Sequence, residues 1–311
     1  MSTSTSAWQR FRNSDLLFYF KKDKVAIGAA IIFLIMVIAA VTAPLTAPFN
    51  PYDLASIDVM DSTLPPVWQG GEADERFLLG TDNQGRDMLS TILYGTRTSL
   101  IIGLFAVLLQ SVLGIAIGLA AGYYGGRIES FLMRLADVQL SFSTLMVAIV
   151  VSTFFQAKLG TEAFHEVAIY LLVIIIGISE WPQFARTIRA SVLAEKEKEY
   201  VQAAQVMGFG GLRIMLRHIL PNCLPPIFVI ATVQVANAIM SEAALSFLGL
   251  GMPETTPSLG SLIRSGFEYL LSGSWWITII PGLVLVVLVL AINLLGDWLR
   301  DVLNPKLYKE I

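Results

Sequence analysis

The chain has 311 residues, 55% of them hydrophobic and only 14% charged, with a mean hydropathy of +0.67. A soluble globular domain carries about 25% charged residues, so this composition is that of a membrane protein. A net charge of -3 argues against nucleic acid as a partner, since phosphate binding needs a concentrated basic surface. The single cysteine, Cys223, allows no intrachain disulfide, and His165 and His218 form no metal site with it at any familiar spacing.

In chain order, residues 1–24 are a basic lead-in containing Arg10, Arg12, Lys21, Lys22 and Lys24. A helix crosses the hydrocarbon with about 20 mostly apolar residues, and the first such run covers residues 25–43. Its basic front and the small residues of AAVTAP mimic a signal peptide. The apolar core is too long for one and more spans follow, so it reads as a retained anchor. The outer loop, residues 44–98, holds the turn-rich PPVWQGG and then LLGTDNQGRDMLS, where Thr81 or Asp82 is placed to cap a short helix leading to the second span. DNQGRD has the acidic density of a calcium loop but lacks its ligand spacing and terminal Glu. Gly80, Thr81, Asp82, Gly85, Arg86 and Asp87 therefore read as a capped turn.

The second span covers residues 99–121, and Gly114, Gly118 and Gly122 recur there at every fourth position. Such a bare stripe lets another helix backbone approach closely; packing within this chain is favoured over a contact between subunits. The third span covers 138–157 and the fourth 166–184, its end blurred by Glu180, Trp181 and Pro182. Residues 185–225 stay on one face of the membrane, the fifth span covers 226–248 and the sixth 276–293, with a tail at 297–311. Tyr123 and Tyr124, and Trp275 and Trp276, fit an aromatic belt. The expected fold class is an all-α membrane protein of about six transmembrane helices, five of them in a core over residues 99–296.

Orientation follows from lysine and arginine. The lead-in and the segment with Arg186, Arg189, Lys196, Lys198, Arg213 and Arg217 are basic, whereas residues 44–98 carry three arginines among eight acids. Six spans put all basic-rich segments on one face, so both termini are expected to be cytoplasmic. The loop around Cys223 is expected there too.

The segment EYVQAAQVMGFGGLRIMLRHILPN begins at Glu199. Residues 190–207 read as a helix with solvated charges. Gly208, Gly210 and Gly211 then cluster, where a helix interior would lose about 1 kcal/mol per glycine, so a break is expected. Leu212, Met215, Leu216, Ile219 and Leu220 follow as a helical apolar stripe, with Arg213 and Arg217 opposite, and Pro221 marks the end. The result is an elbow of two helices on the cytoplasmic face. Composition alone favours an amphipathic helix resting on lipid headgroups.

The pattern Gln202-Ala203-Ala204, three residues, Gly208, nine residues, then His218-Ile219-Leu220-Pro221 resembles the EAA loop of permease subunits from binding-protein-dependent ABC importers. Gln202 stands where the family has Glu, and His218 where it has Ile; both departures resemble the dipeptide and oligopeptide branch. FLLGTDNQGRDMLSTILYGTRTSL, AGYYGGRIESFLMRLADV, ALSFLGLG and NLLGDWLRDVLNPKL look like further signatures of that branch, so the likeness runs over nearly the whole chain and points to its C-type permease. The resemblance implies a multi-pass inner-membrane protein whose EAA elbow docks as a helix in a groove of a cytoplasmic ATPase. Glu199, Tyr200, Gln202, Ala203, Ala204, Gly208, Arg213, Arg217 and Pro221 would carry that coupling. The implied partners are a second homologous permease, two cytoplasmic ABC ATPase domains, a periplasmic substrate-binding protein, membrane lipid and a peptide cargo. Some relatives carry nickel chelates or other small solutes instead. The outer turn of residues 80–87 would touch the docked binding protein or the outer gate. The chain has no GxxxxGK[ST] sequence, so it is expected to be a non-catalytic subunit without a cofactor, with ATP and Mg on the partner ATPases.

Polar side chains within spans are costly and face a cavity or another helix. Gln110, Gln139, Ser141, Ser143, Thr144, Gln234, Asn237, Ser241, Glu242 and Asn293 are thus candidates for a hydrogen-bonding route, with interhelical bonding the alternative for each. Glu242, near the outer end, reads as an interfacial structural carboxylate. An ion-driven secondary transporter is the main rival. It would need buried carboxylates and repeats, whereas Glu180 and Glu242 both fall near span ends in this reading. An intramembrane enzyme finds no support, because neither histidine is mid-span and Gly177-Ile178-Ser179 lacks the partners of a nucleophile.

Overall fold

A computed structural model describes residues 15–53, 57–70 and 73–303; among these the chain is helical, with one isolated bridge between Thr81 and Asp87 and no strand. Arg10, Arg12 and the tail beyond Leu303 lie outside the described residues. Helix α1 (Asp15–Lys22) leads into α2 (Lys24–Val41), whose N-cap Asp23 accepts from the Val25 and Ala26 amides at 2.9 and 3.1 Å. After the short α3 (Ala43–Thr46) and the outer loop come α4 (Met88–Tyr124), α5 (Gly126–Leu140), α6 (Thr144–Leu159) and α7 (Thr161–Glu195). The elbow follows as α8 (Glu199–Val206) and α9 (Gly211–Ile214). A π-helical turn, Met215–Ile219, joins α9 to α10 (Leu220–Phe247), and α11 (Leu259–Phe267) and α12 (Trp276–Leu303) complete the chain. Five helical stretches are long and apolar enough to cross a membrane, and six if α5 and α6 count as one bent span.

The core is the seam between α4 and α7. A side chain on Gly114 would run into Phe184 and Trp181, one on Gly118 into Ala185 and Ile188, and one on Gly122 into Val192. The glycine stripe thus faces a helix of the same chain, and the two backbones run parallel at close range. Phe184, Ile188 and Val192 are fully buried there, together with Ile176 and Leu172, about two and three turns before Phe184.

Four expected elements differ. The third span does not begin at residue 138: the chain turns through 78° between α5 and α6, and the apolar helix starts at Thr144. Charge decides this. Helix α5 carries Arg127, Glu129, Arg134 and Asp137; Glu129 pairs with Arg189, and Asp137 with Arg186 at 2.7 Å, which holds α5 at the charged C-terminal end of α7. The fourth span does not stop near Phe184. Helix α7 passes through Pro182 and runs 35 residues to Glu195, because Trp181, Phe184 and Ala185 around the proline are buried in the α4 seam. Neighbouring helices make proline tolerable inside a span in this way.

The helix expected over 190–207 breaks at Lys196–Lys198, where α7 ends and α8 begins. Pro221 does not terminate a helix either. It sits in the first turn of α10, directly after the π turn, where the Leu220 amide bonds back to the Met215 carbonyl. Proline has no amide for the next bond, so the wider turn absorbs the mismatch. The extra residue also rotates the apolar stripe. Ile214, Met215 and Ile219 are buried, whereas Leu212 and Leu216 are 66% and 52% exposed.

Candidate translocation and coupling sites

The outer turn is built on two positive-φ glycines. Gly80 (φ 77°) passes against the Leu64 carbonyl and Gly85 (φ 82°) against the Asp58 carbonyl, positions closed to a side chain. Asp82 is fully buried; its carboxylate accepts from the Gln84 and Arg86 amides at 2.8 and 2.9 Å and from Arg86 Nε at 2.6 Å. Arg86 in turn donates to the Glu254 carbonyl at 2.6 Å, and Trp276 Nε1 to the Thr81 carbonyl at 3.1 Å. The turn therefore clamps the outer loop onto the connection before α11 and onto the first residue of α12. Trp276 is buried in that clamp and is not part of an aromatic belt. The helix cap is Asp87, not Thr81 or Asp82: its Oδ2 accepts from the Ser90 amide at 2.8 Å, and burial pushes its carboxyl above the ordinary value. The three-residue spacing to Ser90 was the sequence signal for this.

Glu242 is fully buried and not interfacial. It accepts from Ser99 Oγ at 2.8 Å and Ser246 Oγ at 2.6 Å, while Ser99 Oγ also receives the Leu259 amide at 3.3 Å. The carboxylate ties α4, α10 and the start of α11 together and does not line a route. Gln110 is likewise enclosed, donating to the Ile176 carbonyl at 3.2 Å and contacting Gln234 at 3.5 Å; Gln234 accepts from Asn237 at 2.9 Å. Gln234 and Asn237 open into a cleft of about 450 Å³, shared with Gln183 of α7 and with Gly296, Asp297 and Arg300 of α12. Gly296 lets α12 come close to Thr232 of α10. Ser241 is half-buried one turn outward from Asn237, and Asn293 is half-buried on α12. Gln139 belongs to α5, and Ser141 and Ser143 to the bend, so none of the three lies on the apolar helix α6.

Gln183 was missed because the fourth span was expected to end beside it. The signal was present in Glu180, Gln183 and Thr187, polar residues at i, i+3, i+7 on one helical face.

At the elbow, Gly208 (φ 76°) makes the turn, with nothing within 4 Å of where a Cβ would stand. Phe209 is held between the Arg213 guanidinium, 4.6 Å from its ring centre, and the stacked His218 ring at 6.0 Å. Val201 and Ala204 of α8, and Ile214, Met215 and Ile219 beyond the turn, are buried in the main core. Ala204 thus faces the chain's own core, leaving Ala203 and Gln202 outward. Tyr200 donates to Glu195 at 2.5 Å and accepts from Asn222 at 3.0 Å, joining the end of α7 to the start of α10. Partial burial, then the bond to Glu195, pushes the Tyr200 phenol up to about 12, so it stays a donor at neutral pH. Outward stand Val206, Met207, Leu212 and Leu216, all more than half exposed, with Arg217 and Pro221 beside them. Gly211 lies on the Tyr123 ring, which seats the elbow on the inner end of α4. Cys223 is fully buried, so it reports on neither face of the membrane.

Residues 114–309 match the model of the binding-protein-dependent transport system inner membrane component family, and residues 2–66 that of the N-terminal transmembrane domain of oligopeptide transport permease C. The chain belongs to the first of these families. It is a multi-pass membrane permease of that kind, and its cleft and elbow lie within the matched region. It is 40% identical over 290 residues to the dipeptide transport system permease protein DppC of Haemophilus influenzae, covering 93% of each chain. It is 41% identical to the di/tripeptide transport system permease protein DppC of Pseudomonas aeruginosa, covering 93% of this chain and 90% of that one. The fold is also that of the permease in inward-facing structures of the MetNI methionine ABC transporter, with a TM-score of 0.54 at 19% identity, covering 69% of this chain and 97% of the other.

Proposed function

We propose that this chain is one permease half of an ATP-driven importer that moves dipeptides or oligopeptides from the periplasm to the cytoplasm. It pairs with a second homologous permease, receives cargo from a periplasmic binding protein, and is driven by two cytoplasmic ATPase domains. Both termini and the elbow face the cytoplasm. The cargo reading leans on the dipeptide permeases that share about two residues in five with this chain over nearly its full length.

The coupling reading leans on one observation. The elbow is anchored from below by five buried residues, yet it presents Val206, Met207, Leu212 and Leu216 to the outside around a bare glycine. An apolar helical face of that kind fits a groove. Gently solubilised complex, weighed intact, should contain a second permease and two ATPase domains, and liposomes holding it should import a labelled dipeptide only with binding protein and ATP. A stable, transport-competent homodimer free of any ATPase would refute the proposal.

A further inference from the structure

The unbroken course of α7 changes the position of Glu180. Two contacts fix its depth: Gln110 donates to the Ile176 carbonyl at 3.2 Å, and Gly114 lies against Trp181 and Phe184. Glu180 falls between these levels, close to the middle of the apolar run 99–121 of α4. A carboxylate at that depth is costly in hydrocarbon, and such groups face a bundle interior or a water-filled route. Glu180 is half-buried, its hydrogen bond comes from the Thr144 hydroxyl at 2.5 Å, and among the described residues no lysine or arginine is paired with it. One turn inward on the same face stands Gln183, exposed and opening into the cleft with Gln234 and Asn237.

We propose that Glu180 receives the cationic end of the cargo, the protonated α-amino group of a peptide, as it crosses the membrane. This rests on the peptide-import reading above. An ammonium group brings three donors that need acceptors once bulk water is left behind. The Thr144 hydroxyl orients the Glu180 carboxylate without neutralising it, unlike an arginine, so its charge stays free for a passing cation. The amides of Gln183 and Asn237, each donor and acceptor, suit the uncharged peptide bond that follows. Contact with one carboxylate and two amides also lets the cargo leave, as transport requires.

The test uses the complete complex in liposomes, saturated with binding protein and a labelled dipeptide bearing a free amino terminus. Glu180→Gln, which keeps the shape and loses the charge, should slow uptake about ten-fold, the loss expected for one hydrogen bond to a charged group. Glu180→Asp should retain about half of the wild-type rate, because the charge survives, and Thr144→Val, which loses only the orienting hydroxyl, should lose less than Glu180→Gln. A water-soluble thiol reagent should label Glu180→Cys in the complex, since the native Cys223 is buried and silent. Uptake by Glu180→Gln within two-fold of wild type, a Thr144→Val loss as large as that of Glu180→Gln, or an unreactive Glu180→Cys would each overturn the inference while leaving peptide import standing. A wild-type complex that imports no dipeptide would instead bring down the import reading, and this inference with it.

Discussion

At the scale of single residues, Gly208 and Asp87 can be separated from their surroundings. Gly208 has left-handed φ and open space around it, so alanine there meets no clash, only backbone strain of roughly 1–2 kcal/mol. Asparagine visits that conformation more readily. We expect Gly208→Ala and Gly208→Asn both to insert in normal amounts and both to lose uptake, because a partner must approach the bare backbone. Quantitative membrane blots beside uptake assays check this; normal uptake by Gly208→Asn would reduce the glycine to a local turn requirement. For Asp87, burial raises the carboxyl while the bonds from Ser90 lower it less. A raised folded-state value means that stability is highest below the ordinary carboxylate range. It falls as pH rises toward the raised value and stays reduced above it. At neutral pH Asp87→Asn should therefore match or slightly exceed the native chain in thermal unfolding, whereas Asp87→Ala, without the cap, should lose about 1 kcal/mol.

At the scale of elements, the seam between α4 and α7 makes the strongest demand on sequence. A leucine at Gly118 meets the Ala185 carbonyl and the Ile188 side chain, and should cost on the order of 1–3 kcal/mol or prevent assembly. Gly282, with nothing within 4 Å, should accept alanine without loss. Fluorescence-detected chromatography of the two variants after mild heating distinguishes them, and equal behaviour would mean the seam is not the core. The seam was legible in the sequence because a four-residue glycine period is a local signal with one physical meaning. The elbow's glycine break was legible for the same reason. The ends of the helices around Pro182 and Pro221 were not. A proline stops a helix in isolation, and only the packing of Trp181, Phe184 and Ala185, or a π turn ahead of Pro221, shows that it does not here. Through the same proline Glu180 was placed near a span end and Gln183 was passed over. Glu242 and Gln110 were recognised as polar groups in spans, but periodicity cannot tell a residue buried between helices from one lining a cleft.

At the scale of the whole molecule, topology is open to direct test. Cys223 is buried, so introduced cysteines at exposed sites give clean signals. Trp68→Cys, in the outer loop, should react with an impermeant thiol reagent in intact cells, and Glu197→Cys, at the elbow, only after the membrane is opened. The reverse pattern would invert the orientation proposed from the basic residues.

Helix α7 has one more mechanical consequence. At 35 residues it is a rod of about 52 Å, and its bare-backbone contact with α4 lies along its inner half. The elbow hangs from its inner tip, and its outer tip starts just after α6. A contact that long is a splice and not a pivot, so a displacement at the elbow would be carried into α4 and α7 together.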